Sequence, residues 1–479
     1  MVFSSVIFLI YFLPLFLAVY YAFRGSNIVL LGGSLLFYAW GEGRYLLLLG
    51  ALVLINVWLG IRIEENCGRR RRLLLGAAVA INLLPLITFK YWAFVLGNLS
   101  PLFAIPPGWI HKFALPLGIS FFTFQNISYL VDVSREKIRA ERRPVLFACY
   151  IMMFPHLIAG PIVRYAEIAE GLRRKAINQE VISLGVQYFV VGLCQKTLIA
   201  NVVAPVADAA FDMPVAQLST WKAWFGSVSY MMQIYFDFCG YSNMAIGLAF
   251  LLGLKFPRNF FYPYAAVSIT DFWRRWHISL SLWFRDYVYI PLGGNRRGLY
   301  LTVANLLIVF FLTGLWHGAA WHFIVWGMFH GACLFLERVG GARDLQNAPL
   351  LLQRTYTLLV VLVGWVFFRA ADLDQAGGYL HAMFLGGNMA EQAMPLIMQL
   401  TPEFIVALAL GIVLSVPAFP GLLTALATPT FFGSIRRGAE RDDTMATHLV
   451  PTSLLLLGLT ASLAMLVTGS LNPFLYFRF

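Results

Sequence analysis

Long apolar runs separated by short polar or basic segments make up most of this chain of 479 residues. A helix that crosses the hydrocarbon core of a membrane needs about 20 mostly apolar residues. Runs of this kind, or close to it, recur along the whole chain: 3–23, 27–40, 45–61, 73–99, 113–131, 145–162, 181–204, 224–254, 311–331, 355–368, 404–423 and 450–469. The pattern predicts an all-α polytopic membrane protein with about eleven transmembrane helices plus re-entrant segments.

Two of these runs, 113–131 and 145–162, contain residues that interrupt a helix or need polar partners. These residues are Pro116, Gly118, Gln125, Asn126, Pro155, His156, Gly160 and Pro161. Inside a membrane such backbone is tolerated only where protein surrounds it or where it lines a cavity. We therefore expect the first run to pack inside the protein and the second to be broken or re-entrant. The run 224–254 is expected to hold a helix and a turn near Gly240.

Composition supports the membrane assignment. The chain is 60% hydrophobic and 12% charged, with a mean hydropathy of +0.74, whereas soluble domains have about 25% charged residues. The net charge of +12 is concentrated in basic loops such as 69–72 and 134–144. The positive-inside rule assigns such loops to the cytoplasm, so the charge indicates topology and anionic lipid rather than nucleic acid. The N-terminus reads as a retained first span because it lacks a cleavage site.

The stretch 311–331, FLTGLWHGAAWHFIVWGMFHG, carries three histidines, His317, His322 and His330, and no carboxylate. An ionisable residue inside a membrane is costly and therefore indicates a functional site. A second stretch, 271–294, combines charges and aromatic residues with His277. We interpret the two stretches as two walls of one site.

The residue types limit the chemistry of this site. On one continuous helix the three histidines of 311–331 do not point to a common centre, and no HExxH motif is present, so no metal site is predicted. Ser279 and Ser281 lack a GxSxG elbow and are expected to be helix-interior or capping residues. A neutral imidazole with a pKa near 6.5 suits a general base that deprotonates a hydroxyl as it attacks an acyl carbon. Such a base contributes about 10²–10⁴-fold to the rate.

Cations gather around His277. They are Lys255, Arg258, Arg274, Arg275, Arg285, Arg296 and Arg297. Two interpretations stay open: an interfacial cytoplasmic segment, or a phosphate-binding mouth for an anionic nucleotide donor, for which arginine forks are suited. Asp286 is expected to pair with an arginine. Asp237 either ties helices together or takes part in catalysis.

Several long motifs follow one another along essentially the whole chain: MVFSS, LPLGISFFTFQNISYLVDV, FPHLIAGPIVR, FDFCGYSNMAIG, DFWRRWHISLSLWFRDYVYIPLGGNR, GLWHGAAWHFIVWGMFHG, GWVFFRA and NPFLYFRF. Together they resemble the membrane-bound O-acyltransferase (MBOAT) superfamily, and in particular its bacterial alginate O-acetyltransferase-like branch. The resemblance implies a single integral-membrane domain, 1–479, built as a ring of tilted helices around a central tunnel.

The resemblance also implies a reaction. Acetyl-CoA is the expected acyl-donor substrate, entering from the cytoplasm, with no permanently bound cofactor. The acetyl group is expected to reach hydroxyls of a secreted polysaccharide such as alginate, directly or through a periplasmic or membrane-anchored partner protein. The expected location is the bacterial inner membrane, among membrane lipids and without nucleic acid.

Residue roles are carried over by motif. His317, in WHG, is expected to be the catalytic residue that deprotonates the acceptor hydroxyl. His277, in RRWHISLS, is expected to be its polar partner, which orients or stabilises the thioester carbonyl. Candidates for lining the donor site or tunnel are Trp316, Arg274, Arg275, Trp276, Arg285, Asp237 and Asn243. His322 is expected to be a core histidine, and His330 to be secondary.

Two other classes of function remain compatible with the residues alone. One is a transporter or channel in which His and Asp form a proton path, and the other is a scaffold of an exopolysaccharide secretion complex. Within the enzyme class the acceptor is open among alginate, cellulose, another exopolysaccharide, peptidoglycan and teichoic acid.

Overall fold

The computed structural model describes residues 2–157, 160–386, 400–417 and 451–468, with the side chains of 341–344 excepted. The terminal motif 472–479 and the ends of the predicted spans 404–423 and 450–469 lie outside the described residues. In the described part the regular structure is helical, without strands. This confirms the all-α prediction.

The chain divides into two compact units, one of Met1–Phe189 with Met244–Phe256 and one of Val190–Asn243 with Pro257–Phe479. The helices of the first unit are Ile7–Phe12, Leu13–Ala22, Asn27–Glu42, Gly43–Tyr45, Leu46–Glu64, Gly68–Leu86, Ile87–Tyr91, Trp92–Leu99, Pro107–Trp109, Ile119–Ser134, Pro144–Met152, Phe154–Leu157 and Tyr165–Arg173. Two further helices, Gln179–Cys194 and Thr220–Leu251, have residues in both units. The prediction of one domain over 1–479 stays a prediction.

The described helices of the second unit include several of only one or two turns. They are Gln195–Ala200, Asn201–Phe211, Val215–Gln217, Pro263–Ala265, Ile269–Arg275, Ile278–Phe284, Arg285–Tyr289, Leu299–His317, Trp321–Leu336, Glu337–Gly341, Ala342–Asn347, Leu350–Arg369, Leu373–Phe384, Pro402–Leu414 and Thr452–Thr468. His277 lies between two of the short helices, Ile269–Arg275 and Ile278–Phe284.

Seven helical stretches of the described chain are long and apolar enough to cross a membrane: Asn27–Glu64, Gly68–Leu99, Gln179–Phe211, Thr220–Leu251, Leu299–His317, Trp321–Gly340 and Leu350–Arg369. Three shorter apolar helices are Ile7–Ala22, Pro402–Leu414 and Thr452–Thr468. Large apolar side chains also face outward, among them Leu47, which is 85% exposed. A polytopic membrane protein is thereby confirmed, whereas the count of about eleven spans and the ring with a tunnel stay predictions.

The two interrupted runs behave largely as predicted. Helix Ile119–Ser134 begins only after Gly118, whose left-handed φ of 78° brings its backbone against the carbonyl of Leu157. Gln125 and Asn126 on this helix are fully buried, as expected of a helix packed inside protein. The expectation that their polar groups find partners is wrong for the side-chain amides, which have no hydrogen-bond partner among the described residues.

The second interrupted run, 145–162, is broken. Helix Pro144–Met152 ends before Met153, and the one-turn helix Phe154–Leu157 follows. The following residues, 158–159, lie outside the described residues. The prediction of a broken segment is confirmed up to that point.

The predicted turn near Gly240 is wrong, because Thr220–Leu251 is one continuous helix. Gly240 instead allows close packing, since a Cβ atom there would lie 2.6 Å from the carbonyl oxygen of Gly192. A glycine within an apolar run is compatible with a turn or with close helix contact, and the sequence does not distinguish the two.

The stretch 311–331 is two helices and not one, since Leu299–His317 ends at His317 and Trp321–Leu336 begins three residues after Gly318. The two helices approach closely because Gly314 faces the backbone of Phe323 and Gly327 faces the backbone of Phe310. Any side chain at these glycines would collide with the opposing carbonyl oxygen. The continuous-helix geometry considered for the three histidines is therefore replaced by a helical hairpin.

Candidate active site

His277 lies at a sharp bend between two short helices. Helix Ile269–Arg275 ends at Trp276, which is extended, and His277 adopts a left-handed conformation with φ 44° and ψ 54° before helix Ile278–Phe284 begins. Such a conformation is uncommon for a residue other than glycine, and strained backbone of this kind is concentrated at functional sites. The bend places the imidazole in the interior, where it is fully buried.

Asn259 holds the imidazole of His277 in place. Its Oδ1 atom lies 3.1 Å from Nδ1 of His277 and accepts hydrogen bonds from Oγ of Ser279 at 2.9 Å and from the backbone N–H of Ser279 at 3.3 Å. Its Nδ2 atom donates to Oγ of Ser242 at 3.1 Å. Backbone bonds fix the asparagine itself, because its carbonyl oxygen accepts from the N–H of Ile278.

This network determines the tautomer of His277. An amide oxygen can only accept, so Nδ1 of His277 carries the hydrogen and Nε2 presents a lone pair. Nε2 is buried and has no hydrogen-bond partner among the residues that the structure describes. Burial also lowers the pKa of His277 to about 3. The residue is therefore neutral, with Nε2 as an available hydrogen-bond acceptor.

His317 is the last residue of helix Leu299–His317, and its ring is almost fully buried in an aromatic setting. Its ring centre lies 4.9 Å from that of Trp316, 5.0 Å from that of Trp326 and 5.1 Å from that of Phe368. Edge-to-face contacts of this kind fix the orientation of a ring without requiring a charge.

Trp316 contacts both His277 and His317. Its ring centre lies 6.0 Å from that of His277 and 4.9 Å from that of His317. Both imidazoles therefore contact one indole, although His277 and His317 are 40 residues apart in sequence. The prediction that the two stretches share one site is consistent with this geometry, and the catalytic roles stay predictions.

Comparison with known proteins identifies the family. Residues 109–369 match the sequence model of MBOAT, the membrane-bound O-acyltransferase family. The chain belongs to this family. It is accordingly an O-acyltransferase, which confirms the enzyme prediction.

Individual relatives of this acyltransferase are similar over much or all of its length. The chain is 40% identical to the probable alginate O-acetylase AlgI of Azotobacter vinelandii, with all of both chains covered. It is 36% identical to the peptidoglycan O-acetyltransferase of Helicobacter pylori, with 80% of each chain covered. It is also 31% identical to the teichoic acid D-alanyltransferase of Bacillus subtilis, with 59% of this chain and 74% of the relative covered.

The other two histidines of the hairpin differ from each other. Nδ1 of His322 lies 3.1 Å from the carbonyl oxygen of Phe367, which makes this histidine a bonded core residue as predicted. His330 is fully buried between Trp273 and Trp326, at 5.3 Å from each ring centre. Neither of its ring nitrogens has a hydrogen-bond partner within the described chain.

Asp237 and Asn243 have structural contacts in this acyltransferase. Asp237 forms an ion pair with Lys196 at 2.5 Å, and both side chains are buried. The Nδ2 atom of Asn243 donates to Oε1 of Gln195 at 2.8 Å. Both residues therefore tie helix Thr220–Leu251 to the segment around 195–196, and of the two interpretations of Asp237 the structural one is supported.

The candidate arginines lie at the exposed edge of the short helices. Arg274 is exposed, Arg275 pairs with Asp271 at 2.9 Å, and Arg285 pairs with Asp286 at 2.7 Å, as expected. Trp276 points inward instead and lies 4.8 Å from the ring of Trp365. A phosphate-binding role for these arginines stays a prediction.

Sequence reasoning missed three residues that shape this site. Asn259 fixes the tautomer of His277, and Trp326 is fully buried and contacts the ring of His317. Glu337 accepts bonds from the backbone N–H groups of Ile269 and Thr270, at 2.6 and 2.9 Å, and so anchors the helix that precedes His277. The available signal for Asn259 and Glu337 was a polar residue next to apolar or aromatic residues, but the partner of such a residue is not visible in sequence.

Proposed function

We propose that this acyltransferase transfers an acetyl group from cytoplasmic acetyl-CoA to hydroxyl groups of a secreted polysaccharide. The names of the relatives support this, because they describe acyl transfer to alginate, peptidoglycan or teichoic acid. The observation that carries the proposal is the contact of Trp316 with both His277 and His317. Alginate or a similar exopolysaccharide is the acceptor favoured by the full-length similarity.

His317 acts as the general base in this proposal. It takes the proton of the acceptor hydroxyl while the oxygen attacks the thioester carbonyl carbon, so that a C–O bond forms. The C–S bond then breaks, and the CoA thiolate leaves and recovers the proton from His317. A positioned base of this kind supplies about 10²–10⁴-fold of the rate, and positioning of the two substrates supplies a further share.

His277 has a different role because of its tautomer. With the hydrogen on Nδ1 and bonded to Asn259, the neutral ring cannot donate from Nε2 to the thioester carbonyl. We assign it instead to accepting a hydrogen bond from a second hydroxyl of the sugar, which orients the acceptor beside His317. This revises the expectation that His277 stabilises the thioester carbonyl.

The setting of the reaction is also proposed. The enzyme lies in the bacterial inner membrane and moves the acetyl group from the cytoplasmic side to the outer side. The acceptor is the polysaccharide itself or a periplasmic or membrane-anchored acetyltransferase partner. The exposed Arg274 and the neighbouring arginines are candidates for binding the phosphates of the donor.

Thioester turnover by purified protein in nanodiscs tests the proposal. Wild type, His317→Ala and His322→Ala are incubated with radiolabelled acetyl-CoA, and release of CoA is measured. His322 is the matched control, because it lies on the same hairpin and is already bonded to the carbonyl of Phe367.

We expect His317→Ala to lose about 10²-fold or more of the turnover, and His322→Ala to stay near wild type. Full turnover by a folded His317→Ala protein would refute the role of His317. CoA binding without turnover by any variant would instead show that the acceptor or a partner protein is required.

A further inference from the structure

A cavity of about 490 Å³ lies in the first unit, and none of the histidines discussed above is among its lining residues. One wall is the turn between the first two apolar helices, with Tyr21, Arg24 and Asn27. The other wall is the end of helix Tyr165–Arg173 and the segment that follows it, with Lys175 among its residues. No role follows for this cavity from acyl transfer as described above.

Hydrogen bonds between the two walls hold the cavity open. Nζ of Lys175 donates to the carbonyl oxygen of Gly25 at 2.5 Å, and Nδ2 of Asn27 donates to that of Leu172 at 2.8 Å. The hydroxyl of Tyr21 donates to the carbonyl of Leu251 at 2.7 Å. The cavity is thus preformed, so a ligand would not have to pay for ordering loops.

The lining of the cavity is positively charged. It contains Arg24, Arg173 and Lys175 and no carboxylate. Arg173 pairs with Glu141 at 2.6 Å, yet its side chain is still 46% exposed. Arg24 is exposed and forms no ion pair with any residue that the structure describes. Burial lowers the pKa of Lys175 to about 8, which is a cost that a bound anion would offset.

A neutral acceptor lies beside these cations. The Oδ1 atom of Asn27 is buried and has no hydrogen-bond partner in the described part of the chain. An unpaired buried acceptor is costly, and a hydroxyl donor on a ligand would satisfy it. The lining therefore fits an anion that carries a hydroxyl close to its charge.

The surroundings indicate the side of the membrane. Salt bridges connect the neighbouring basic loops, with Arg142 bound to Glu64 and Arg71 bound to Glu136. Basic loops of this density are cytoplasmic by the positive-inside rule. The cavity is thus open to two sources of phosphate, the anionic lipids of the cytoplasmic leaflet and soluble phosphate esters.

We propose that this cavity binds a phosphate ester with an adjacent hydroxyl, through Arg24, Arg173, Lys175 and Asn27. Phosphatidylglycerol and CoA both carry this combination of groups, one from the membrane and one from the cytoplasm. Binding there is separate from catalysis at His317.

Equilibrium binding to the delipidated full-length protein in a zwitterionic detergent tests this proposal. The probes are radiolabelled short-chain phosphatidylglycerol, phosphatidylcholine and CoA. The variants are Arg24→Gln and Arg24→Gln with Lys175→Gln. The matched control is Arg69→Gln with Arg70→Gln, which removes the same charge from exposed positions outside the cavity.

We expect the affinity for one anionic probe to fall about tenfold for each cation removed from the cavity, and to stay within about twofold in the control. Loss of phosphatidylglycerol binding alone assigns a lipid site, and loss of CoA binding alone assigns a nucleotide site. The single variant Arg24→Gln guards against misfolding, because its side chain is exposed.

Unchanged binding of both anionic probes by the cavity variants would overturn the proposal, and so would equal losses in the cavity and control variants. Tighter binding of phosphatidylcholine than of phosphatidylglycerol would also contradict it. The readout needs no turnover, so His317→Ala should bind the probes like wild type. A failure of this proposal is therefore distinguishable from a failure of the proposed acetyl transfer.

Discussion

Replacing Asn259 by alanine should slow the enzyme without removing either histidine. The amide oxygen of Asn259 serves three donors at once: the Nδ1–H of His277 and the Oγ–H and backbone N–H of Ser279. All three lie in the buried interior. Alanine leaves them without this acceptor and leaves the tautomer of His277 undetermined.

The size of the effect follows from these bonds. A buried donor that loses its acceptor costs about 1–3 kcal/mol, so loss of the acceptor of the Nδ1–H of His277 should lower the free energy of unfolding by at least about this amount. A displacement of about 1 Å at a reacting group costs about a hundredfold in rate. We therefore expect kcat to fall about 10–100-fold, while KM for acetyl-CoA stays near wild type.

The assay is acetyl transfer from radiolabelled acetyl-CoA, with thermal unfolding measured on the same samples. Ser242→Ala is the matched control, because it removes only the hydroxyl that accepts from Nδ2 of Asn259. It should lower the free energy of unfolding by about 1 kcal/mol and leave kcat within about twofold of the wild-type value. Asn259→Asp retains an acceptor oxygen, and its added negative charge should raise the pKa of His277 and move the acid limb of activity to higher pH.

The reasoning is refuted if folded Asn259→Ala protein keeps the wild-type kcat while His277→Ala loses it. Equal losses in Asn259→Ala and Ser242→Ala would also contradict it, because the two variants differ in whether the acceptor of His277 is removed. A change in KM alone would indicate that Asn259 affects donor binding and not the orientation of His277.

Three further predictions concern stability. Lys196→Met should lower the free energy of unfolding by about 3–5 kcal/mol, because it removes the buried cation that pairs with the buried Asp237. Thermal unfolding should show that adding Asp237→Leu restores most of the loss, and no recovery would contradict the pairing. Gly327→Ala should lower the free energy of unfolding by about 1–3 kcal/mol by overpacking, and it should reduce acetyl transfer. The matched control is Gly76→Ala, where a Cβ meets no neighbouring atom within 4 Å, and it should change neither quantity. Burial lowers the pKa of His277 from 6.5 to about 3, so the unfolded state binds more protons than the folded state between these pH values. The free energy of unfolding should therefore fall as the pH drops through this range. A His277→Asn variant should show a shallower fall, and a pH dependence identical to that of wild type would contradict the burial argument.

Much of the architecture was predictable because hydropathy is a local property. Apolar runs of sufficient length must be helical in a membrane, since every backbone group has to be bonded internally. The runs that became Asn27–Glu64, Gly68–Leu99 and Leu350–Arg369 were therefore visible in the sequence. The break near Pro155 was also visible in the sequence, because proline removes a backbone hydrogen-bond donor.

Helix breaks without proline were not predictable in this way. The stretch 311–331 has continuous hydropathy across Gly318, and the turn there is visible only in the hairpin. Gly240 shows the opposite case, because a glycine that favours a turn locally instead allows the approach of Gly192. In both places packing against a distant backbone decided the conformation.

The sequence by itself determined that this protein is a helical membrane protein, and it singled out His277 and His317 as site candidates. These conclusions depend on residue type, on the length of apolar runs and on motifs, all of which can be read directly from the sequence. The tertiary structure decided that Trp316 contacts both rings and that Asn259 sets the tautomer of His277. Those facts depend on distances between residues far apart in sequence, and only folding fixes such distances.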